Sequence, residues 1–512
     1  MPRTAEQAYG ELIRRVKEHS LLASCASVLA WDERTYMPRK GSAHRAEQLA
    51  LLARMTHEML TEPEVGRLLS EVEGSSLVRD PEAVAAVNVR EVRRSYDRAV
   101  KLPKELVEEL ARVTTRAQQV WQEAREAGTR DPAGYAFATF RPWLERIVTL
   151  KQQEAEAVGY TGSPYNALLD EYEPGATADE ITRTFAALRR DLVPLVAAVA
   201  GSVRKPRRAV LEREYPVDRQ AVFGQAAAAA IGFNFEAGRL DTTTHPFCSG
   251  MGPGDTRLTT RYNPRHFNDA FFSTLHEAGH GIYEQGLDPE HYGTPMGSPA
   301  SLGIHESQSR MWENLVGRSR PFWEHFFPRA RQVFLATLGD VALDDFVFAV
   351  NDVQPSFIRV EADEATYNMH IILRFELEQA LVRGDLKPAD VPAAWNEKFR
   401  QSFGLTPPSD ALGCLQDVHW SMGGIGYFPT YTLGNMYAAQ FMEQARRDLG
   451  NLDDDFRRGE FGRLKGWLNE KIHRPGQCYR AGELCRRVTG KPLSHQPLLN
   501  YLRNKYAPLY GI

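Results

Sequence analysis

The sequence predicts a mainly α-helical protein, a large single helical body with a deep cleft and one small β-sheet. Three observations support this prediction. Apolar residues at helical spacing dominate residues 1–200, a β-hairpin pattern occupies residues 239–262, and helical patterning resumes at Asn268 and continues to the end of the chain. Strands and helices do not alternate, so we expect no parallel α/β sheet.

The N-terminal 200 residues show the helical pattern most clearly. Leu106, Leu110, Val113 and Ala117 fall on one face of a helix, and good helix formers fill the positions between them. A basic segment at residues 201–208 separates this part from the rest. We expect one structural unit with two parts. Residues 1–200 form a wall or lid of the cleft, and residues 201–512 contain the hairpin and the histidine motif described below.

The hairpin pattern begins in a Thr-rich segment at residues 239–247. A Gly/Pro turn follows at residues 250–254, and residues 255–262 then alternate in the manner of a strand. The predicted sheet therefore stands immediately before the histidine motif.

Composition and charge exclude several classes of protein. The 512 residues include 62 Lys and Arg against 66 Asp and Glu, a net charge of -4, so we expect neither nucleic acid nor an anionic membrane as partner. Five scattered cysteines are too few for a disulfide framework. The charged N-terminus lacks the apolar core of a signal peptide, and no apolar run approaches the roughly 18 residues that span a bilayer. We expect a cytoplasmic protein.

The sharpest motif is His276-Glu277-Ala278-Gly279-His280. Histidines at positions i and i+4 lie on one face of a helix, one turn apart, so both imidazoles can reach one metal ion. The glutamate beside them can act as a general base toward a water molecule. Composition gives at most about 0.05 such matches per chain by chance. The alternative is a helix with two ordinary surface histidines.

The surroundings of the motif favour a helix. Asn268 and Asp269 can cap its start, Phe272 and Leu275 belong to an apolar stripe, and Gly286 can end it.

A catalytic zinc needs a third protein ligand and one open position. Glu306 lies in the first turn of a second predicted helix, the arrangement of peptidases whose third ligand is a Glu on a following helix. His305 is the competing candidate. A metzincin would instead need a histidine at position 286, which is Gly286. We favour Glu306 over His305.

Five further blocks carry a resemblance to a known family. In chain order they are residues 245–247 (HPF), 255–259 (DxRxT), 305–308 (HESQ), 358–363 (IRxxAD) and 413–420 (GxxQDxHW). With the HEAGH motif, they make the whole chain resemble the thermostable carboxypeptidase family of prokaryotic metallocarboxypeptidases, which is distantly similar in fold to neurolysin and angiotensin-converting enzyme. The resemblance implies a zinc-dependent carboxypeptidase of broad side-chain tolerance, in which Co²⁺ can substitute, and a homodimer. Its substrates would be peptides with a free C-terminus.

Arg359 lies in an apolar-flanked stretch where an unpaired cation would be costly. One hypothesis is that its guanidinium binds the C-terminal carboxylate of the substrate by two-point hydrogen bonding. The alternative is a structural ion pair with Glu361, Asp363 or Glu364. The resemblance favours substrate binding.

Arg257, in the DxRxT block, is the second candidate for binding the carboxylate, and a salt bridge with Asp255 is its structural alternative. His245, which precedes a proline, is either a donor that lines the cleft or a turn residue. We include both among the candidate substrate-binding residues.

A glycine-rich segment at residues 419–431 contains His419, Tyr427 and Tyr431. Related helical peptidases use a His and a Tyr from such a segment to donate hydrogen bonds to the tetrahedral oxyanion, a contribution of roughly 10² or more in rate. The resemblance implies catalytic roles for His419 and Tyr427 and a substrate contact for Tyr431. Core packing is the alternative for each tyrosine.

A carboxylate that accepts the free N–H of a metal-bound histidine would fix its orientation. Asp363 and Glu364 are candidates for this role, and helix-surface charges are the alternative.

The expected mechanism has zinc held by His276, His280 and Glu306, while Glu277 takes a proton from the attacking water and passes it to the leaving amine. Arg359 holds the terminal carboxylate. One alternative is an oligopeptidase that cleaves internally with the same chemistry. Another is a non-catalytic helical scaffold with a structural metal, against which Glu277 argues because a structural site has no use for a general base.

Overall fold

The computed structural model describes residues 3–131 and 136–512, most of which are helical. The helices before the sheet are α1 (Ala5–Thr35), α2 (Ser42–Thr61), α3 (Pro63–Glu73), α4 (Val84–Lys101), α5 (Lys104–Arg130), α6 (Ala136–Val158), α7 (Tyr165–Leu169), α8 (Ala178–Gly201) and α9 (Val217–Ile231). Those after it are α10 (Phe267–Gly286), α11 (Leu302–Arg310), α12 (Arg320–Val333), α13 (Leu335–Leu338), α14 (Leu343–Val350), α15 (Tyr367–Arg383), α16 (Val391–Phe403), α17 (Pro429–Leu449), α18 (Leu452–Arg458), α19 (Gly462–Leu468), α20 (Ala481–Thr489) and α21 (Gln496–Tyr510). Short π-helical segments, Met311–Val316 and Asn469–His473, continue α11 and α19. The prediction of a mainly helical chain is confirmed.

The sheet of the described residues has three strands, β1 (Gly238–Thr242), β2 (Cys248–Gly252) and β3 (Asp255–Thr260), in the order β1-β3-β2. β2 and β3 form an antiparallel hairpin, and Gly254 in its turn has a φ of 81°, a conformation that favours glycine. β1 pairs in parallel with β3, with Leu240 opposite Leu258. The predicted hairpin region thus contains an additional strand, and the passage through β2 supplies the long connection that a parallel pair requires.

The chain divides into two compact units, each built from separated segments. Unit 1 extends to Val100 and includes Arg207–Val350 and Phe441–Pro492. Its core is aromatic. Phe267 and Phe271 of α10 pack with Phe223 of α9 and Trp323 of α12, with ring centroids 5.1 to 6.3 Å apart. Each aromatic pair contributes about 0.5–1.5 kcal/mol in addition to the free energy of burying its surface, so these contacts stabilise the first turns of α10.

Unit 2 comprises Lys101–Pro206, Asn351–Gln440 and Leu493–Ile512. Tyr165 and Phe185 both pack edge-on against Phe375 of α15. Arg374, which is fully buried, lies with its guanidinium 4.6 Å from the ring centre of Trp395. The helices of residues 1–200 are shared between the two units, and their role as a wall or lid stays a prediction.

None of the helices in the described ranges has the length and apolar character needed to cross a bilayer. The cysteines, which are Cys25, Cys248, Cys414, Cys478 and Cys485, are free thiols.

Candidate metal centre and substrate residues

The histidine motif lies on α10, which begins at Phe267 after an extended His266. The prediction that Asn268 or Asp269 caps this helix is wrong, because the residue before it is His266 and no side chain caps it. Asp269 instead lies 2.7 Å from Nδ1 of His266. Gly286 is the last residue of the helix, as predicted.

Gly279, between the two histidines of the motif, lets α10 approach α11 closely. A Cβ at this position would lie 2.6 Å from the carbonyl oxygen of Gln308 and 2.6 Å from Cα of Ser309. Both atoms belong to the backbone of α11, which cannot turn aside as a flexible side chain can. The glycine therefore permits the helix spacing that brings the histidines to Glu306.

We expect Gly279→Ala to destabilise unit 1 by about 1–3 kcal/mol, the usual cost of overpacking. The measurement is the thermal unfolding midpoint of the metal-free protein. Gly466→Ala is the matched control, because a Cβ on this helical residue meets no atom within 4 Å. There the substitution should raise stability by up to about 1 kcal/mol. A midpoint that rises in both variants would contradict the close approach of α10 and α11.

His276, His280 and Glu306 come together in unit 1, with one ligand atom of each lying within 4.8 Å of the others. Nε2 of His276 is 3.7 Å from Oε2 of Glu306, and Nε2 of His280 is 3.5 Å from the same oxygen. The structure thus groups the three side chains that the sequence predicts as ligands.

The donor set fits a small divalent cation. A tetrahedral site with bonds of about 2.1 Å places neighbouring donors about 3.4 Å apart, close to the observed separations. Burial lowers the pKa of His280 to about 3, which keeps its imidazole in the neutral form that binds metals. Burial alone would raise the pKa of Glu306, but Arg310 and His276 hold it well below its usual range, so this ligand is a carboxylate anion.

Glu313 orients His276. Its Oε2 lies 2.9 Å from Nδ1 of His276, and the π-helical segment after α11 carries it. Arg310 donates to both nearby acids, from Nε to Glu306 at 2.7 Å and from Nη1 to Glu313 at 3.0 Å. Burial opposes ionisation of Glu313, but Arg310 and His276 lower its pKa to about 2. An ionised carboxylate on Nδ1 leaves Nε2 of His276 free to bind a metal.

The hypothesis that Asp363 or Glu364 orients a metal-bound histidine has no support in these contacts. Asp363 accepts hydrogen bonds from the backbone N–H groups of Ala365 and Thr366, each at 2.9 Å, just before α15. Glu364 forms an ion pair with Lys505 and accepts hydrogen bonds from two tyrosine hydroxyls.

His280 is oriented through a second histidine. Its Nδ1 lies 2.6 Å from Nδ1 of His305, and Nε2 of His305 lies 2.7 Å from Oε1 of Glu284. Glu284 is one helical turn beyond His280 on α10. Sequence reasoning missed Glu284, although its i+4 spacing from His280 was a usable signal. It also missed Arg310, which lies four residues after Glu306, and Glu313, whose contact with His276 depends on how two helices pack.

Glu277 is buried, with 6% of its surface exposed. Burial raises its pKa to about 7, an effect that the nearby His276 opposes and Glu306 reinforces. A carboxyl with a pKa near neutrality can both accept and release a proton at physiological pH.

The other two candidate substrate-binding residues in unit 1 are Arg257 and His245. Arg257 on β3 donates from Nε and Nη2 to the two oxygens of Asp255, at 2.8 and 2.7 Å, and its guanidinium lies 4.4 Å from the ring centre of Trp31. The salt bridge that the sequence left open is therefore present. His245 is exposed in the connection between β1 and β2.

Arg359, in unit 2, is 6% exposed and has a protein carboxylate as partner. Its Nε and Nη2 donate to Oδ1 of Asp417 at 2.9 and 2.7 Å, and Nη1 donates to the hydroxyl of Tyr367 at 2.8 Å. Arg374 donates to the other oxygen of Asp417 at 2.6 Å. The ion-pair partners considered from the sequence, Glu361 among them, are corrected to Asp417, which lies far along the chain.

His419, Tyr427 and Tyr431 form an aromatic cluster in unit 2. Nε2 of His419 lies 3.3 Å from the hydroxyl of Tyr431, and the rings of His419 and Tyr427 have centroids 5.3 Å apart. Burial lowers the pKa of His419 to about 4, so its imidazole is neutral. A neutral imidazole and two phenols are hydrogen-bond donors of the kind that stabilise an oxyanion.

A helical fold that gathers two histidines and a glutamate beside a buried acid defines a helical metallopeptidase. Comparison with known proteins gives the same class. A model of the family "Carboxypeptidase Taq (M32) metallopeptidase" matches residues 11–506. Thermostable carboxypeptidase 1 of Thermus thermophilus is 51% identical over 99% of this chain and 100% of its own. Carboxypeptidase 1 of Bacillus subtilis is 37% identical over 99% of each chain.

Among solved structures, an M32 carboxypeptidase from Deinococcus radiodurans R1 superposes with a TM-score of 0.94 at 40% identity, covering 99% of this chain and 100% of its own. The chain belongs to the carboxypeptidase Taq (M32) family of metallopeptidases. It is a metallocarboxypeptidase that acts on peptides and depends on a divalent metal. The predictions of family, fold class and enzyme activity are confirmed.

Proposed function

We propose that His276, His280 and Glu306 hold one zinc ion, which cobalt can replace, and that Glu277 is the general base of peptide hydrolysis. The observation that carries this proposal is the group of three ligand atoms within 4.8 Å, with buried Glu277 on the same helix. When bound, the metal polarises the peptide carbonyl and makes water a stronger acid.

The residues of the chain supply proton transfer and orientation. Glu277 takes a proton from the attacking water and delivers it to the leaving amine. Glu313 and Arg310 hold His276 and Glu306 in place through the contacts given above, so the ligands need little rearrangement.

Arg359 binds the C-terminal carboxylate of the peptide, and Arg257 is the alternative residue for this role. Asp417 fixes the guanidinium of Arg359 by two hydrogen bonds from one edge. A fixed guanidinium loses less freedom when it binds a second carboxylate. His419 and Tyr427 donate to the oxyanion, Tyr431 supports His419 and contacts substrate, and His245 is a further substrate contact.

Paired peptides that end in a free acid or an amide test this function. The wild type should remove residues one at a time from the C-terminus of the acid and cut the amide far more slowly, because a charge-assisted contact of roughly 1.5–3 kcal/mol is missing. Mass spectrometry of the products gives the cleavage positions. Equal rates on both peptides would contradict C-terminal recognition and support the internal-cleaving oligopeptidase.

Substitutions of Arg359 locate the anchor in the same assay. Arg359→Ala should erase most of the discrimination, and Arg359→Lys should restore it only in part, because an ammonium cannot form the two-point contact. Each variant needs its metal content and unfolding midpoint measured, since the substitution removes one of the two arginines that pair with buried Asp417. Discrimination that survives Arg359→Ala in a folded, metal-loaded protein would move the role to Arg257.

Three further features complete the proposal. The enzyme is cytoplasmic, acts as a homodimer and accepts many side chains at the C-terminal position. Free cysteines are typical of a reducing compartment and support the first feature. The other two rest on the family resemblance of the sequence motifs. Fractionation, sedimentation and a panel of C-terminal residues test them separately.

A further inference from the structure

The side chain that supports His280 differs in kind from the one that supports His276. His276 has an ionised carboxylate, Glu313, on its Nδ1. His280 has a second imidazole, that of His305, at 2.6 Å, and only beyond it a carboxylate, Glu284, at 2.7 Å. The two proposed ligands therefore receive unequal electrostatic support.

The contacts among His280, His305 and Glu284 fix one set of histidine tautomers. If Nε2 of His280 binds the metal, its Nδ1 carries the proton and donates to Nδ1 of His305. His305 must then carry its own proton on Nε2, where it donates to Glu284. Each ring nitrogen of His280 and His305 has a partner in this arrangement, so His305 has no nitrogen left to bind a metal.

The neighbouring backbone and side chains hold His280, His305 and Glu284 in place. His280 and Glu284 are one turn apart on α10, and His305 is in the first turns of α11. The ring of Tyr283 lies against His305 with centroids 5.0 Å apart. A Cβ at Gly250 on β2 would lie 2.9 Å from Cδ of Glu284, so the glycine leaves room for this carboxylate.

We propose that His305 and Glu284 are positioning residues that set the tautomer and orientation of His280 and thereby raise the affinity of the site for its metal. The inference rests on the proposed metal centre and deepens it. It also accounts for His305, the competing third ligand, as an outer partner. Outer partners of metal-binding histidines typically contribute a factor of roughly 10 to 100 in affinity.

The test is a competitive titration of Zn²⁺ between the metal-free protein and a chromophoric chelator. His305→Phe keeps a flat ring and removes both hydrogen bonds, and it should weaken zinc binding by roughly 10- to 100-fold. His305→Asn should recover part of this loss, because its amide oxygen can accept the proton of His280. Glu284→Gln should cost less than His305→Phe, since an amide oxygen still accepts from His305.

Controls separate positioning from simple structural damage. His291→Phe, in the short 3-10 helix Pro289–His291 after α10, should leave the zinc affinity unchanged, and so should the substitution Glu290→Gln at an exposed residue. The unfolding midpoints of metal-free His305→Phe and His305→Asn should agree, while their zinc affinities differ. A structural role alone would move the two quantities together.

Three results would overturn the inference. The first is a zinc affinity for His305→Phe within about twofold of the wild type. The second is zinc binding by His305→Asn that is no tighter than that of His305→Phe. The third is complete loss of zinc in His305→Phe while Glu306→Ala still binds it, which would make His305 a ligand. A wrong assignment of the metal ligands would give a different result, because His280→Ala would then bind zinc as the wild type does.

Discussion

Glu277→Gln should retain one metal ion per chain and lose at least about 10²-fold in turnover, because the amide cannot accept the proton of the attacking water. The amide has nearly the shape of the carboxyl group, and the site buries the residue to 6% exposure. The hydrogen bonds described above hold the three proposed ligands through Glu313, His305 and Arg310, so the ligands should stay in place. Steady-state rates on an acid-ended peptide and elemental analysis give the two quantities.

Glu290→Gln is the matched control for this substitution, since it makes the same chemical change at an exposed residue. It should leave both turnover and metal content unchanged. Metal loss from Glu277→Gln would mean that Glu277 acts as a ligand. Turnover within about tenfold of the wild type would remove its role as general base.

Glu306→Ala should lower metal affinity by at least about 10²-fold, more than the loss of an outer partner costs, and should abolish activity at low metal concentration. It removes the anionic donor that lies 3.5 and 3.7 Å from the two imidazole nitrogens. It also takes one carboxylate from Arg310, which keeps Glu313. Excess Zn²⁺ or Co²⁺ should restore part of the activity.

Glu306→Gln keeps the shape of the side chain and removes its charge, so it separates ligation from packing. Its metal affinity should fall, while its unfolding midpoint stays above that of Glu306→Ala. If Glu306→Ala retains one metal ion and full activity, the third ligand has been assigned wrongly. His305 would then be the next residue to test.

The sequence predicts the metal centre as far as local geometry determines it. Residues one helical turn apart share a face, so His276 and His280 follow from spacing alone. Glu284 continues the same spacing and could have been found in this way. Arg310 likewise lies four residues after Glu306 and could have been found from its spacing. Glu313 could not, because its position depends on a π-helical segment and on the spacing that Gly279 allows between α10 and α11.

Long-range pairing explains the remaining differences. A buried guanidinium at position 359 needs a carboxylate, and the nearest acids in sequence were the natural candidates. Its partner is Asp417, which the fold brings from a distant segment and shares with Arg374. Similarly, alternation and a Gly/Pro turn predicted the hairpin, whereas the parallel pairing of β1 with β3 depends on tertiary packing.

The most direct test of the metal centre is diffraction from crystals of the zinc-loaded enzyme, measured on both sides of the zinc absorption edge. We expect one anomalous peak per chain, about 2.0–2.2 Å from Nε2 of His276, Nε2 of His280 and a carboxylate oxygen of Glu306. His305 should lie outside bonding distance of the zinc, with its Nδ1 hydrogen-bonded to Nδ1 of His280. A peak elsewhere in the chain, or one bonded to His305 and not to Glu306, would contradict the account.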